Sequence, residues 1–510
     1  MYGLIGHYGD CEPHALFSVP YNYAQESLKS NEYTHSDYHI IQKTINMYTD
    51  DKLFYETQRC HIAVEGVIYS IHGVDLCSSL AEKIEWLFIN RKQSIGQYIN
   101  GNYCIVIYDK VTHSLYLYAN HTAFKSIYYY VNKSGGIFFS TDYSWLVNSM
   151  KNSGESIKLS KIGAVCLLSH GFMLDKYTLI NGVYKLLPGY FIEVKPNSFI
   201  EQEYFNYCEI AESNDSYDSL LNTANNLFGQ AVDRIYKKDD EYRLKHICTL
   251  SGGLDSRSSA FVGKELGYDQ LFITMSQHGL PDEVISTLIA SDLKSEHLVY
   301  HLDDSDFLLD VKDAIYGNGG TITYPGFAHM YSFFSHLNLQ KYGAICTGEL
   351  GDLVFGGGKS HYANMEADAN IGKLISVNSI YDYVDREELR KITERSNNAF
   401  NYFLINRGLN SAVNGWYSSY YFTESASPFL DFDFIKFILS VPHKYKDKSK
   451  FYIDWMERYQ PDMLKYNWAA TLTRPDASEL KKQIVHLGMS CLLQYQIGLT
   501  SLNCFTLMIY

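Results

Sequence analysis

The chain has 510 residues, more than one ordinary hydrophobic core accommodates, so two domains or three are expected. With 46% hydrophobic and 20% charged residues it has the composition of a soluble globular protein, which excludes a disordered one. A formal net charge of −14 excludes a general binder of nucleic acid or anionic membrane, whose surface needs clustered Lys and Arg, and leaves only local basic pockets.

The N-terminus, "MYGLIGHYGD", has no basic segment followed by an apolar core, so no secretory signal is read and a cytoplasmic location is expected. The first 205 or so residues carry short aromatic and β-branched runs: "HIAVEGVIYS", "YCIVIYD", "SLYLYAN", "SIYYYV", "GIFFST" and "GYFIEV". Punctuated by Gly, Asn, Asp and Ser, they predict antiparallel strands, with one helix near "SSLAEKIEWLFINR". An α+β sheet domain follows from this pattern.

The texture changes between about Phe205 and Ser216, which divides the chain into residues 1–210 and 211–510. "SLLNTANNLFGQAVDRIYKK" then reads as an amphipathic helix. The apolar runs "HICTL", "QLFITMS", "EHLVYHL" and "GAICTG" alternate with helical segments, the pattern of a parallel α/β sheet. Near the end, Gln483 to Tyr510 contains no Asp, Glu, Lys or Arg, but polar residues interrupt every apolar run, so a buried terminal helix is expected rather than a membrane span. Ten scattered cysteines, Cys11, Cys60, Cys77, Cys104, Cys166, Cys208, Cys248, Cys346, Cys491 and Cys504, show neither C-x-x-C nor zinc-ligand spacing and read as reduced, mostly buried thiols.

Two stretches carry chemistry. In "HICTLSGGLDSRSSAF", Ser251, Gly252 and Gly253 follow a strand, and a helix is expected from near Ser256, so successive amides and a helix N-terminus form an anion-binding concavity. Glycine turns between strand and helix also occur for geometry alone. Ser251 and Ser256 add hydroxyl donors, and the Asp255 carboxylate suits an anion site only with a cation between, which points to Mg²⁺. No G-x-x-x-x-G-K-S/T occurs, so a Walker cradle is excluded. The second stretch, "GAICTGELGDLVFGGG", runs a strand into a Gly-rich turn with Glu349 and Asp352. Taken alone it reads better as a loop solvated by its acids; across one crevice from the first, Asp255 and Asp352 could share a metal.

"SGGLDS", "TGELGDLVFGG" and "SPFLD", in that order, resemble SGGLDS, SG(E/D)G(S/A)DE(L/F)FGG and R-x-PFLD of the synthetase domain of the asparagine synthetase family. In the first domain "VEGVIYS", "INGNYCIVIYD" and "INGVYKLLPGYFIEV" are similar to the family's F-N-G-E-I-Y-N, L-x-G-x-F-A-F-x-x-Y-D and G-I-x-x-L-P-P-G-H. The likeness reaches about Pro461. It implies an α+β Ntn-hydrolase-like domain, degenerate here as a class II glutamine amidotransferase, before an α/β adenine-nucleotide α-hydrolase (PP-loop) domain. It also implies a ligase in which a carboxylate attacks the α-phosphorus of ATP and an amine captures the acyl-adenylate. On that resemblance Leu250, Ser251, Gly252, Gly253, Leu254, Asp255 and Ser256 hold the nucleotide and its pyrophosphate, Asp255 and Asp352 bind Mg²⁺, and Thr274, Thr347 and Gly348 lie against the nucleotide. Glu349 is implied to help deprotonate the amine.

Several positions depart from the family. Tyr2 stands where glutamine-using members carry a cysteine, no R-G-P-D follows, and Glu65, Gly66 and Val67 replace Asn-Gly-Glu, so glutamine hydrolysis is expected to be absent. β-Lactam synthetases and lasso-peptide cyclases resemble the chain in this loss. Ala426 replaces the Arg before PFLD, Leu353 a Glu, and a gap-free count puts Ala469 at the late catalytic Lys. Lys465 or Arg474 from a shifted loop could supply that charge, and Lys450 matches a family Lys contacting pyrophosphate. Tyr324, Phe327 and His329 read equally as pocket or core residues. The expected partners are a small-molecule or peptide carboxylate, or a sugar acid, and an amine, with neither nucleic acid nor membrane; a homodimer stays open. The rival reading is a non-catalytic nucleotide-binding or interaction protein that keeps the fold.

Overall fold

The structure is a computed structural model that describes residues 2–10, 28–74, 78–356, 384, 386–396, 399–485 and 487. The expected terminal helix beyond residue 487 and Cys11, Cys77, Cys491 and Cys504 lie outside the described residues. The other six cysteines are free thiols, five of them buried.

Among the described residues twelve strands form the first unit: β1 (Gly3–Tyr8), β2 (Leu28–His35), β3 (Tyr38–Ile45), β4 (Phe54–Glu56), β5 (Cys60–Ile71), β6 (Ile99–Asp109), β7 (Ser114–Ala119), β8 (Tyr128–Val131), β9 (Ile137–Ser140), β10 (Val183–Lys185), β11 (Tyr190–Lys195) and β12 (Ser198–Glu203). They make two six-stranded sheets in the orders β10-β8-β9-β1-β3-β2 and β12-β11-β7-β6-β5-β4. Every pairing is antiparallel, as in Ala63 opposite Val106.

The two-residue alternation of a strand sorts the faces. Ala63, Val106 and Leu117 turn inward to meet Leu4 and Ile40 of the other sheet. Ile62, Val64, Ile105 and Ile107 turn outward onto Ile84, Leu87 and Phe88 of α1 (Leu80–Arg91), whose start is fixed by a capping box between Ser79 and Glu82. The sequence pattern predicts this one helix, whereas the structure adds α2 (Tyr143–Asn152), capped by Asp142, and α3 (Lys161–His170), capped by Ser160. Trp145 of α2 packs on Ile5 and Ile41, so its aromatic content serves a helix–sheet contact.

The second unit opens with α4 (Tyr217–Glu241), N-capped by Ser216. Its sheet contains β13 (Lys245–Thr249), β14 (Gln270–Ser276), β15 (His297–His301), β16 (Tyr342–Cys346) and the two-residue β17 (Ser425–Ala426), in the order β15-β14-β13-β16-β17. All four pairings are parallel. Helix α5 (Leu254–Glu265) follows β13 and α6 (Pro281–Asp292) follows β14. The strand order changes direction between β13 and β16, which is where an open parallel sheet leaves a crevice beyond its carboxyl ends.

The two units share one apolar cluster running from Tyr2, Val67 and Phe124 to Phe228, Ile247 and Trp455. The Asp of "SPFLD" is part of this joint. Asp431 caps the helix Phe432–Ser440, takes Arg234 Nε and Nη2 at 2.9 and 2.6 Å, and accepts from Asn100 Nδ2 of β6 at 2.9 Å. No helix among the described residues is long and apolar enough to cross a membrane.

Candidate active site

The turns after β13 and β16 meet. α5 starts at Leu254, two residues before the sequence suggests, with Gly253 as its N-cap. Asp352 N donates to Asp255 Oδ2 at 2.8 Å, tying the second turn to the first. Glycine makes this approach feasible: a Cβ on Gly348 would lie 2.3 Å from Ser256 N and 2.6 Å from Asp255 C, and one on Gly351 would lie 2.5 Å from Asp255 Cγ. Between the turns opens a crevice of about 620 Å³, onto which Leu250, Ser251, Gly253, Leu254, Asp255, Ser256, Thr274, Gly348, Glu349 and Asp352 all face.

Thr347 and Gly252 belong to the same turns but do not line the crevice. Thr347 is buried behind it, its N–H bonded to Ala426 O at 2.8 Å. Gly252 is covered by Ala469, whose N–H donates to Gly252 O at 3.0 Å and whose methyl would stand 2.7 Å from a Cβ at Gly252. The segment carrying Ala469 therefore does rest on the glycine turn, and it brings a methyl group there, not a cation. Thr274 Oγ1 donates to Leu250 O at 2.6 Å and also meets His297 Nε2 at 2.8 Å, which braces the strand end under the turn.

Both lysines that the sequence offers as site cations point elsewhere. Lys465 pairs with Asp462 at 2.6 Å with its side chain 65% exposed, and Lys450 pairs with Asp454 one helical turn away, 62% exposed. Each satisfies a neighbour on its own solvent face, and neither lines the crevice. Arg474 is bound to Asp476 in the same way. Of the three candidate pocket aromatics and histidine, His329 lines the crevice, while Phe327 is buried in the core and Tyr324 packs on Phe327.

Two arginines missed by sequence reasoning do serve the site. Arg407, in the π-helical segment Leu404–Ala412, is the one Lys or Arg among the described residues lining the crevice. Burial raises the carboxyls of Glu349 and Asp352, and the Arg407 guanidinium partly offsets that by Coulomb attraction. Arg257 is fully buried under the turn and donates to four carbonyls: Met463 at 2.8 Å, Tyr466 at 3.4 Å, Gly252 at 3.1 Å and Asn467 at 2.7 Å. It clamps the segment bearing Ala469 to the glycine turn. "SGGLDSR" shows this arginine immediately after the motif, but its distant carbonyl partners have no signature in the sequence.

The turn's amides are satisfied internally in a way that outlines an anion site. Ser251 N donates to Ser256 Oγ at 3.0 Å, Gly253 N to Ser251 Oγ at 3.1 Å, and Gly252 N to Asp282 Oδ1 at 2.9 Å. Side-chain oxygens stand where the oxygens of a bound anion would. Electrostatics call for a cation beside them. Burial, and next the like charge of Asp352, push the Asp255 carboxyl well above the usual carboxylate range. Burial also raises Glu349, with Asp352 adding to it against Arg407. Two neighbouring carboxyls, both pushed toward their protonated forms by burial, are relieved by a hard divalent cation, and their all-oxygen donor set fits Mg²⁺.

Two family models match the chain: a glutamine amidotransferase domain over residues 76–205 and asparagine synthase over residues 224–412. The chain belongs to an asparagine synthetase-like family. Among solved structures, it is similar to the NH3-dependent NAD synthetase from Campylobacter jejuni subsp. jejuni NCTC 11168 in complex with the nitrate ion. That match has 16% identity and a TM-score of 0.22 over 39% of this chain and 96% of that one. No curated protein matches the chain.

In this asparagine synthetase-like protein Tyr2 occupies a closed, charged cage. Its hydroxyl donates to Glu424 Oε1 at 2.6 Å and accepts from Lys52 Nζ at 3.2 Å and Lys125 Nζ at 3.3 Å. Glu424, from the second unit, pairs with Lys52 at 2.8 Å and Lys125 at 2.7 Å, while Glu65 stands 3.9 Å from Lys52. Two lysines and two glutamates thus meet in a region with almost no solvent contact, where burial raises the Glu65 carboxyl and lowers the Lys125 ammonium. Burial opposes ionisation of Glu424, but Lys125 and Lys52 outweigh it and hold the carboxyl at about 2. Burial, then Glu424 and Glu65, push the Tyr2 phenol well above its usual range, so it stays protonated.

Proposed function

We propose that the protein is an AMP-forming, ATP-dependent carbon–nitrogen ligase that adenylates a substrate carboxylate and joins it to ammonia or a substrate amine without hydrolysing glutamine. The observation carrying this reading is the hydrogen bond from Asp352 N to Asp255 Oδ2, 2.8 Å long, which makes one crevice of the two turns. In the proposed reaction a carboxylate oxygen attacks the α-phosphorus, the bond to the β-phosphate oxygen breaks, and pyrophosphate leaves. The amine nitrogen then attacks the acyl carbon, its proton passes to Glu349 Oε, and AMP departs. Glu349 suits that role because burial makes it a stronger base than a solvent-exposed carboxylate.

Asp255 and Asp352 would hold Mg²⁺, which when bound neutralises phosphate charge. Ser251, Gly253 and Ser256 orient the departing phosphates through amides and hydroxyls. Arg407, which faces the crevice, supplies the positive charge that Ala469 lacks and acts on the adenylated carboxylate. The cage around Tyr2 supports loss of glutamine hydrolysis, because a protonated buried phenol paired to a carboxylate is no nucleophile. The amine then arrives through the crevice.

The methyl of Ala469 on Gly252 favours one other reading, a protein that binds nucleotide without turnover. Pyrophosphate release in the presence of ATP, Mg²⁺ and a panel of carboxylates and amines separates the two. The ligase releases it with at least one acid and loses the activity in Asp255→Ala, whereas a binding protein shows saturable ATP binding and no release.

A further inference from the structure

Glu283, in the first turn of α6, stands between two imidazoles. Its Oε1 lies 3.1 Å from His301 Nε2 and 3.4 Å from His278 Nδ1. One ligand atom from each of the three residues falls within 4.8 Å of the others, the single such grouping of histidine, cysteine or acidic residues among the described residues. A tetrahedral ion with bonds of about 2.0–2.1 Å sets its ligand atoms about 3.3 Å apart, so two edges of that polyhedron are already in place.

Contacts outside the triad fix it. Gly279 N–H donates to Glu283 Oε2, which leaves Oε1 for the imidazoles. His278 N–H donates to both oxygens of Asp303, at 3.0 and 3.2 Å, pinning the loop between β14 and α6, while His301 ends β15. The two imidazoles meet edge to face with centroids 5.4 Å apart.

We propose that His278, Glu283 and His301 form a site for a divalent transition-metal ion of the zinc class, distinct from the Asp255 and Asp352 carboxylates. Two imidazole nitrogens and one carboxylate oxygen favour Zn²⁺, Co²⁺ or Ni²⁺ over Mg²⁺, which takes oxygen ligands. Three protein ligands leave a fourth position for water. Because Glu283 follows Asp282, whose carboxylate holds the Gly252 amide, an ion here steadies the turn of α6 that touches the phosphate loop.

Full-length protein freed of metal with a chelator is titrated with Co²⁺, read by visible d–d absorption, and then competed with Zn²⁺. The expected result is one equivalent of tetrahedral-intensity Co²⁺ that Zn²⁺ displaces and excess Mg²⁺ does not. His301→Ala and Glu283→Gln each weaken it at least about tenfold, with melting temperatures unchanged. Absent or octahedral-type absorption, or equal affinity in wild type and His301→Ala, overturns the proposal.

Discussion

Replacing Glu424 by Gln keeps the shape of the Tyr2 cage and removes the charge that pairs Lys52 and Lys125, whose side chains are 0% and 4% exposed. Breaking such a buried arrangement costs about 3–5 kcal/mol, because an uncompensated charge stays behind. The acid side gives a similar figure: a carboxyl lowered from 4.5 to about 2 is worth about 3 kcal/mol at 1.36 kcal/mol per pH unit. A depressed carboxyl stabilises fully above its unfolded value, and this contribution disappears as pH falls from about 4.5 to about 2. At about 2.1 cal/mol/K per residue, 510 residues correspond to about 1 kcal/mol per degree. Glu424→Gln should therefore melt about 3 °C below wild type at pH 7 if the chain unfolds as one unit, and by more if the first unit melts alone. The gap should close as pH approaches 2. A variant that melts with wild type at pH 7, or a gap independent of pH, refutes the cage.

Asp255→Asn relieves a carboxyl whose folded pKa is raised, and a raised acid destabilises the folded state as pH climbs past its unfolded value. The ligand-free variant should melt higher at pH 7, by about 1 kcal/mol, while losing Mg²⁺-dependent pyrophosphate release. Gly348→Ala forces a Cβ onto the Ser256 amide, so the turns must separate by about 1 Å, with about a hundredfold loss of pyrophosphate release expected from kinetics. Arg257→Met strips four carbonyls of their donor and should destabilise by about 3 kcal/mol, with amide exchange rising across residues 463–469. Arg407→Met should lower kcat for pyrophosphate release about a hundredfold and leave ATP affinity less affected, whereas Lys465→Ala should change stability by less than about 0.5 kcal/mol and leave turnover intact.

The strands that build the crevice were readable because β13, β14 and β16 are buried on both faces, which requires apolar runs. Asp255 was readable because a carboxylate in a phosphate-type turn needs a chemical reason, whereas Asp352 was set beside it by the expected crevice and the family resemblance. α3, "KIGAVCLLSH", was missed because its nearly continuous apolar run offers no helical period, and β17 because two residues carry no pattern. The cations were misplaced for another reason. Proximity to Ala469 along the chain favoured Lys465 and Arg474, and a family match favoured Lys450, whereas charge reaches the crevice from Arg407, more than fifty residues after Asp352, along a helix whose register only packing reveals.

Nucleotide products decide whether the protein is an AMP-forming ligase. The protein is incubated with ATP, Mg²⁺ and a panel of carboxylates and amines, and the products are resolved by ³¹P NMR or ion-exchange chromatography. AMP and pyrophosphate are expected in equal amounts, formed only with both a carboxylate and an amine when turnover continues, and absent in Asp255→Asn. ADP and orthophosphate, or turnover that survives in Asp255→Asn, would contradict that reading.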